Sequence, residues 1–243
     1  MSTVRLDKYV SSALILSRKN AFSVIRAGRI SVNGSVLKKA DAKVDPSNDE
    51  VTFDGGKLVY SEFVYVMLNK PSGLICASYD AKEKTVFSLF PKEYADKGIN
   101  CVGRLDKDAC GLLLMTNDGI LSHKLLSPKN AVSKKYFVTC DKPFSESDKE
   151  IMKNGIIIDG KRTSEAKLEI SKDDEKSACV TLTEGKFHEV KRLCYACGQK
   201  EVVFLKRVEF ASLILDGSLK YGEWRSLTED EIKKLKSVTE GER

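Results

Sequence analysis

The sequence predicts an α+β protein with two units, a small N-terminal unit and a larger one with a mainly antiparallel sheet. Strand-like and helix-like segments intermingle without a regular βαβ rhythm, which favours this class over a doubly wound parallel sheet. The 243 residues are 42% hydrophobic and 31% charged, which is typical of a soluble globular protein with one large or two small domains. The charge, moreover, is concentrated at one end of the chain.

Residues 1–40 contain eight basic residues and one acidic residue, so this segment carries +7 while the rest of the chain carries −1. Such asymmetry indicates a module that binds a polyanion, although a merely solvated basic face is an alternative. Six of the basic residues are candidate contacts to that polyanion: Arg5, Lys8, Arg18, Lys19, Arg26 and Arg29.

The first forty residues predict two helices followed by a hairpin. Apolar residues between Leu6 and Leu14 recur at helical intervals, and Ser17 can cap a second helix that Gly28 ends. Asn33-Gly34 predicts a hairpin turn, because both residues tolerate a positive φ.

This pattern resembles the S4 RNA-binding domain. The resemblance is carried by Arg5-Leu-Asp-Lys8, Ser17-Arg18 with Ala21, and Gly28–Gly34, and it covers about the first sixty residues. It implies that residues 1–60 bind structured RNA through phosphates and shape, but it implies no chemistry.

A second unit is predicted over residues 61–243. It begins with a buried strand over 64–68, which Pro71 closes because proline lacks a backbone donor. Further strands are expected over 112–116, 135–140, 166–170, 178–183, 202–205 and 213–215. Helical segments are expected over 86–90, after Asp118, over 189–196 and after Thr228.

The sequence contains none of the usual cofactor motifs, neither a Walker A loop, a nucleophile elbow nor a dinucleotide fingerprint. Cys194 and Cys197 form a single CxxC without the second pair that zinc requires, so we interpret them as packing residues. We therefore expect no cofactor and no metal. The first residues lack a secretory h-region, and no run reaches the ~18 apolar residues of a membrane span, so we expect a cytoplasmic protein with reduced thiols.

The segment Gly103–Asp108 leads directly into the apolar run Gly111–Thr116. An aspartate on a loop held against a buried strand can be positioned rigidly, and Arg104 beside Asp106 would help to keep it ionised. On chemistry alone, however, an ordinary surface turn rich in Asp and Gly is the stronger interpretation.

Four motifs reverse that interpretation, because they occur in the order found in pseudouridine synthases. They are Asn69-Lys-Pro-x-Gly73, Gly103–Asp106 followed by Gly111–Gly119, Lys134-Lys-Tyr136, and Glu184–Leu193. The arrangement most resembles the RsuA-type branch, the small-subunit pseudouridine synthases. The sequence departs from the family at Glu189, which is usually Gln, and at Ala109-Cys110, where small hydroxyl residues are common.

The resemblance implies that a uridine flips out of the RNA and is isomerised without a cofactor. It makes Asp106 the essential ionised carboxylate, Lys191 its cationic partner and Tyr136 the ring that stacks on the uracil. Arg104 is implied to contact the RNA beside the flipped nucleotide.

Two further assignments concern the surroundings of this site. Lys134, with Lys124, Lys129 and Lys135, is predicted to form an RNA-facing strip, for which a solvated strip is the alternative. His188 is expected to stabilise its loop rather than to act in catalysis.

The implied partner is ribosomal RNA, specifically 16S rRNA in a small-subunit precursor particle, bound by a monomer without membrane contact. Two alternatives stay open: the sister group that acts on 23S rRNA, and a non-catalytic S4 protein of ribosome assembly. Similarity of Tyr65–Pro71 and Tyr221–Arg225 to the RsuA type, and the lack of a long basic C-terminal tail, favour 16S rRNA. The joint presence of Asp106, Tyr136 and Lys191 argues against a pure binder.

Overall fold

The structure, a computed structural model, describes residues 3–14, 16–91, 94 and 97–239. The chain divides into two compact units, of which the first contains Met1–Val64 and Phe90–Ile99. The second contains Tyr65–Leu89 and Asn100–Arg243. The segment Phe90–Ile99 thus returns to the first unit, where Lys97 donates hydrogen bonds to the carbonyl oxygens of Ser11 and Ser12.

The first unit has two helices and short strands around one apolar core. The helices are α1 (Leu6–Ala13) and α2 (Arg18–Arg26), and the strands are β1 (Val4–Arg5), β2 (Ile30–Val32), β3 (Ser35–Val36), β4 (Lys43–Val44), β5 (Val51–Phe53) and β6 (Gly56–Lys57). Ser17 caps α2 by accepting a hydrogen bond from the backbone N–H of Asn20, as predicted. Asn33 and Gly34 both have a positive φ in the β2–β3 turn, which confirms the hairpin.

The second unit is built on one large sheet. Its strands are β7 (Tyr65–Lys70), β8 (Asn100–Cys101), β9 (Cys110–Thr116), β10 (Lys134–Cys140), β11 (Ile157–Ile158), β12 (Lys161–Arg162), β13 (Lys167–Ile170), β14 (Ser177–Leu182), β15 (Val202–Phe210), β16 (Leu213–Ile214) and β17 (Trp224–Ser226). Its helices are α3 (Gly119–Leu126), α4 (Glu146–Asn154), α5 (Glu189–Ala196) and α6 (Glu229–Ser237), with 3-10 helices at Val86–Leu89 and Pro128–Asn130.

The strand order of the large sheet is β13-β14-β10-β15-β9-β7-β17, with β16 beside β15 and β8 beside β9. Among the strands that the structure describes, β15 and β9 form the one parallel pair, and the others run antiparallel. The predicted α+β class with a mainly antiparallel sheet is therefore confirmed.

Gly111 makes the close approach of β9 and β15 possible. A Cβ atom at this position would lie 2.3 Å from the carbonyl oxygen of Arg207, and the backbone φ of +99° is one that other residues rarely adopt. The glycine before the apolar run is thus required by the packing of two strands.

Several elements of the second unit differ from the sequence prediction, among them the unpredicted short strands β8, β11, β12 and β17. Helix α4 was not predicted, although Ser145 and Asp148 form the capping box that begins it. Strand β15 extends to Phe210, whereas the sequence predicted an end at Leu205. The two charged residues Lys206 and Arg207 do not end the strand, and Arg207 is buried.

Cys194 and Cys197 are buried free thiols at the C-terminal half of α5 and its end. No helix in the described part of the chain is both long and apolar enough to cross a membrane.

Candidate active site

The loop that carries Asp106 is fixed by a buried ammonium group. Lys70, at the end of β7, is fully buried, and its Nζ donates to backbone carbonyl oxygens of Pro71 (3.1 Å), Asp106 (3.1 Å), Lys107 (3.4 Å) and Ala109 (2.7 Å). Burial lowers the pKa of Lys70, an effect that nearby negative groups oppose. The contacts reach the backbone and leave the Asp106 carboxylate free to face the cavity.

Two cationic or potentially cationic groups approach the Asp106 carboxylate. The Nζ of Lys191 lies 3.4 Å from Oδ2, and the Nε2 of His188 lies 3.6 Å from Oδ1. Lys191 also lies 2.8 Å from both carboxylate oxygens of Asp108, and this contact lowers the pKa of Asp108. Lys191 therefore bridges two carboxylates, with its shorter contacts to Asp108.

Tyr136 reaches the same cavity from β10. Its side chain is buried, and its neighbours across the sheet are Val180 on β14 and Arg207 on β15. An aromatic ring held by strands on both sides is a rigid surface against which a planar base can stack.

Arg207 supplies buried positive charge next to Tyr136. It is 1% exposed, its Nε donates to the carbonyl oxygen of Leu112 (2.8 Å), and its guanidinium lies 4.9 Å from the centre of the Phe210 ring. Its Nη2 has no hydrogen-bond partner among the described residues. A buried guanidinium with an unused donor favours an anionic or carbonyl-rich ligand nearby.

These side chains surround one cavity of about 1100 Å³. Its lining includes Arg104, Asp106, Asp108, Lys134, Tyr136, Phe187, His188, Lys191 and Arg207. The volume is sufficient for a nucleoside with part of its flanking backbone, and the lining combines the carboxylates of Asp106 and Asp108 with several cations.

Five residues that the sequence motifs singled out line this one cavity: Asp106, Tyr136, Lys191, Arg104 and Lys134. Arg104 is exposed, and within the described residues it forms no ion pair with Asp106 or Asp108. Its guanidinium is available to a ligand at the cavity.

The four lysines of the predicted strip do not share one exposed surface. Lys134 is buried, and its Nζ donates to the carbonyl oxygens of Val132 (2.7 Å) and Thr183 (3.4 Å). Lys135, next along β10, points to the opposite face and pairs with Glu169 and Glu209. The alternation of a strand separates the two.

In the first unit, most predicted basic residues have an acidic neighbour. Arg5 and Arg18 both pair with Asp7, Arg29 pairs with Asp54, and Lys8 lies 3.8 Å from Glu62. Lys19 and Arg26 are exposed on α2 and have no ion pair within the described ranges. They are the cations of this segment that are most available to an external anion.

Sequence analysis did not identify Arg207, and it assigned His188 only to its loop. A signal for Arg207 exists, because it lies two residues from the buried Leu205 and so falls on the inward face of the strand. No local sequence pattern predicts the contact between His188 and Asp106, because the two residues are 82 positions apart and meet only in the folded protein.

Comparison with known proteins agrees with this site. Residues 64–196 match the model of the RNA pseudouridylate synthase family, and residues 4–51 match the S4 domain. The chain belongs to the RNA pseudouridylate synthase family. The family match spans the loop of Asp106, the strand of Tyr136 and the helix of Lys191, and the S4 match makes the first unit an S4 domain.

Full-length relatives of this pseudouridylate synthase are known. It is 41% identical to an uncharacterized RNA pseudouridine synthase of Bacillus subtilis, over 94% of this chain and 97% of the relative. It is 38% identical to the ribosomal small subunit pseudouridine synthase A of Haemophilus influenzae, over 96% of this chain and 99% of that one. A crystal structure of a pseudouridylate synthase, 37% identical, superimposes with a TM-score of 0.67 over 96% of this chain and 99% of the other.

Glu189, where this pseudouridylate synthase departs from the usual glutamine, carries a carboxyl group that the fold buries. It is buried, and its carboxylate accepts a hydrogen bond from the backbone N–H of Lys186 (2.7 Å). Burial and a hydrogen bond shared with Glu184 raise the pKa of Glu189 to about 7. A carboxyl group that keeps its proton can donate a hydrogen bond, as a glutamine amide does.

We expect Glu189→Gln to stabilise the protein at alkaline pH but not at acid pH. Between the ordinary pKa of 4.5 and about 7, the folded protein retains a proton that the unfolded chain loses, so wild-type stability falls as pH rises through this window. Glutamine avoids this cost and should add on the order of 1–3 kcal/mol at pH 8, a gain that disappears near pH 4. Denaturant unfolding at several pH values, with the exposed Glu150→Gln as control, measures it. A gain independent of pH would contradict the protonation.

Proposed function

We propose that this enzyme converts a specific uridine of the small-subunit 16S rRNA to pseudouridine, with Asp106 as the essential carboxylate. For the chemistry, the supporting observation is that Asp106, Tyr136 and Lys191 line one cavity. For the substrate, the support is similarity over nearly the whole chain to proteins named ribosomal small subunit pseudouridine synthase A.

The reaction breaks the N1–C1′ bond of uridine, rejoins the ring to C1′ through C5, releases the C5 proton and leaves a proton on N1. Asp106 begins it either by attacking C1′ or by removing the C2′ proton, and both roles require an ionised carboxylate. Lys191, 3.4 Å from Oδ2, compensates its negative charge.

The remaining cavity residues bind and position the flipped nucleotide. Tyr136 stacks on the uracil and keeps it in place when the N1–C1′ bond is broken. Arg104 contacts the RNA backbone or fills the space that the uridine leaves in the RNA, because its side chain is exposed and lies at the cavity. Flipping costs a few kcal/mol, which these contacts offset.

Residues 1–60 are proposed to hold the enzyme on structured rRNA, in a small-subunit precursor particle in the cytoplasm, with the enzyme acting as a monomer. Lys19 and Arg26 on α2 are the expected phosphate contacts, because neither has an acidic partner within the described ranges. The other four basic residues can still contact phosphates with the exposed part of their side chains, although each has an acidic partner: Arg5, Lys8, Arg18 and Arg29.

We expect the double variant Lys19→Ala/Arg26→Ala to weaken rRNA binding and to flatten its salt dependence. Each lost phosphate contact should reduce the slope of log K against log salt by about 0.7–0.9. The matched control is Lys57→Ala/Lys149→Ala, which removes the same charge from lysines paired with Glu50 and Glu146. Filter binding over a range of salt concentrations distinguishes them, and equal slopes for the two double variants would exclude a direct role for α2.

The target is tested by mapping pseudouridines with carbodiimide and primer extension in rRNA from a strain that lacks this protein. One lost stop in 16S rRNA, restored by the wild type but not by Asp106→Asn, is the expected result. A lost stop in 23S rRNA would place the enzyme in the sister group. An unchanged map would contradict an rRNA target and favour a binding role.

A further inference from the structure

Phe187 is a large apolar side chain that the fold leaves open beside the cavity. It is 61% exposed, and it lies in the loop between β14 and α5 that also lines the cavity of Asp106. A single exposed aromatic residue is ordinary on a protein surface and needs no explanation alone. Its neighbours make this one different.

The Phe187 ring is stacked on a second ring that itself contacts the catalytic loop. The ring centres of Phe187 and His188 are 3.8 Å apart with an interplanar angle of 21°. The Nε2 of His188 lies 3.6 Å from Asp106, and the guanidinium of Arg192 lies 5.8 Å from the centre of the Phe187 ring. The stack therefore extends outward from the carboxylate to solvent, next to a cation.

The loop that carries this stack is held rigidly. The backbone N–H of Lys186 donates to Glu189, and the Nζ of Lys186 donates to the carbonyl oxygen of Arg162 (3.1 Å) and to Glu184 (3.0 Å). His188, the N-cap residue directly before α5, adopts a left-handed backbone conformation (φ +53°). Rings fixed in this way lose little further entropy when a ligand stacks on them.

We propose that Phe187 and His188 form a stacking platform for an unpaired RNA base next to the uridine that enters the cavity. This inference rests on the proposed function, since it takes the cavity as the site of the flipped uridine. A base that loses its neighbour by flipping also loses a stacking partner, and an aromatic ring at the rim replaces it. Among single-stranded RNA contacts, base stacking on an aromatic side chain contributes about 1–3 kcal/mol.

The affinity test compares Phe187→Ala, Phe187→Leu and Phe187→Tyr. Single-turnover tritium release from 16S rRNA transcript labelled at C5 of uridine is measured against enzyme concentration. We expect Phe187→Ala to raise the half-saturating concentration about 5- to 100-fold. Phe187→Tyr should behave like the wild type, and Phe187→Leu should resemble alanine because it keeps apolar bulk without a ring face. The salt dependence of binding should not change, because stacking releases no counterions.

The matched control is Tyr195→Ala, which removes another exposed aromatic ring from α5 that does not line the cavity. It should leave the half-saturating concentration unchanged. Wild-type affinity in Phe187→Ala would overturn the platform and favour a protein partner for this ring. Full rescue by leucine would also overturn it.

A second measurement does not depend on turnover. The chain has a single tryptophan, Trp224, so Trp224→Phe gives a background in which tryptophan at position 187 or 195 reports on its own surroundings. Oligouridine should quench the fluorescence of Phe187→Trp saturably and leave that of Tyr195→Trp unchanged. Quenching without tritium release from 16S rRNA would contradict the proposed substrate and keep the platform. Release without quenching at 187 would contradict the platform alone.

Discussion

Asp106→Asn should reduce the rate of isomerisation by at least about 10³-fold while leaving RNA affinity largely intact. Asparagine has the size of aspartate but carries no negative charge to attack C1′ or to accept the C2′ proton. Lys70 holds this residue through its backbone carbonyl oxygen, so the substituted side chain should stay where the carboxylate was. The variant therefore tests the charge and not the fold of the loop.

The measurement is single-turnover tritium release from uridine-labelled RNA, with filter binding of the same RNA in parallel. Asp108→Asn is the matched control, because it makes the same change two residues along the loop at a side chain that is 68% exposed. It should lose far less activity than Asp106→Asn. Turnover by Asp106→Asn close to that of the wild type would remove Asp106 from the mechanism.

Lys191→Met should cost about 10²-fold in the single-turnover rate, the effect of removing one well-placed charge from an active site. The ammonium group contacts Asp106 and Asp108 together, so its loss leaves two neighbouring carboxylates, of which Asp106 keeps the His188 imidazole 3.6 Å away. The contact that lowers the pKa of Asp108 is also lost, and Asp108 should then take up a proton at a higher pH than in the wild type.

The expected rate loss in Lys191→Met is greatest at acid pH and partly recovered at alkaline pH, because the lost ammonium group had favoured the ionised form of the essential Asp106 carboxylate. Lys191→Arg keeps the charge in a different shape and should lose less. Rates at saturating enzyme across pH separate this role from a phosphate contact. A uniform loss at every pH, accompanied by weaker RNA binding, would show that Lys191 serves only the RNA backbone.

Local signals predicted α2 and the β2–β3 hairpin of the S4 unit, because the residues that start the helix and form the turn act on their own neighbours. Ser17 caps α2 through a residue three positions away, and Asn33-Gly34 supplies the positive φ values that its hairpin turn requires. Both the cap and the turn conformation are properties of a short stretch of sequence, which is why they could be predicted.

The candidate site was predictable only through the order of its motifs. Asp106, Tyr136 and Lys191 lie on segments that meet because β15 is placed between β10 and β9, and no local pattern contains that topology. The same topology brings Lys191 into contact with Asp108 as well as Asp106, and it places Arg207 beside Tyr136. Neither arrangement was predicted from the sequence. Arginine side chains are mostly exposed, whereas Arg207, paired across the sheet with Tyr136, is buried.

The central place of β15 also determines when a growing chain acquires this cavity. A ribosome that has synthesised residues up to 200 has already produced the loop of Asp106, the strand of Tyr136 and the helix of Lys191. Their sheet is still in two parts, because the strand that joins β10 to β9 comprises residues Val202–Phe210. Only after this strand leaves the exit tunnel can the two parts close into one cavity. The cavity is therefore complete only after residue 210 has been synthesised, although the residues that line its reactive part are made much earlier.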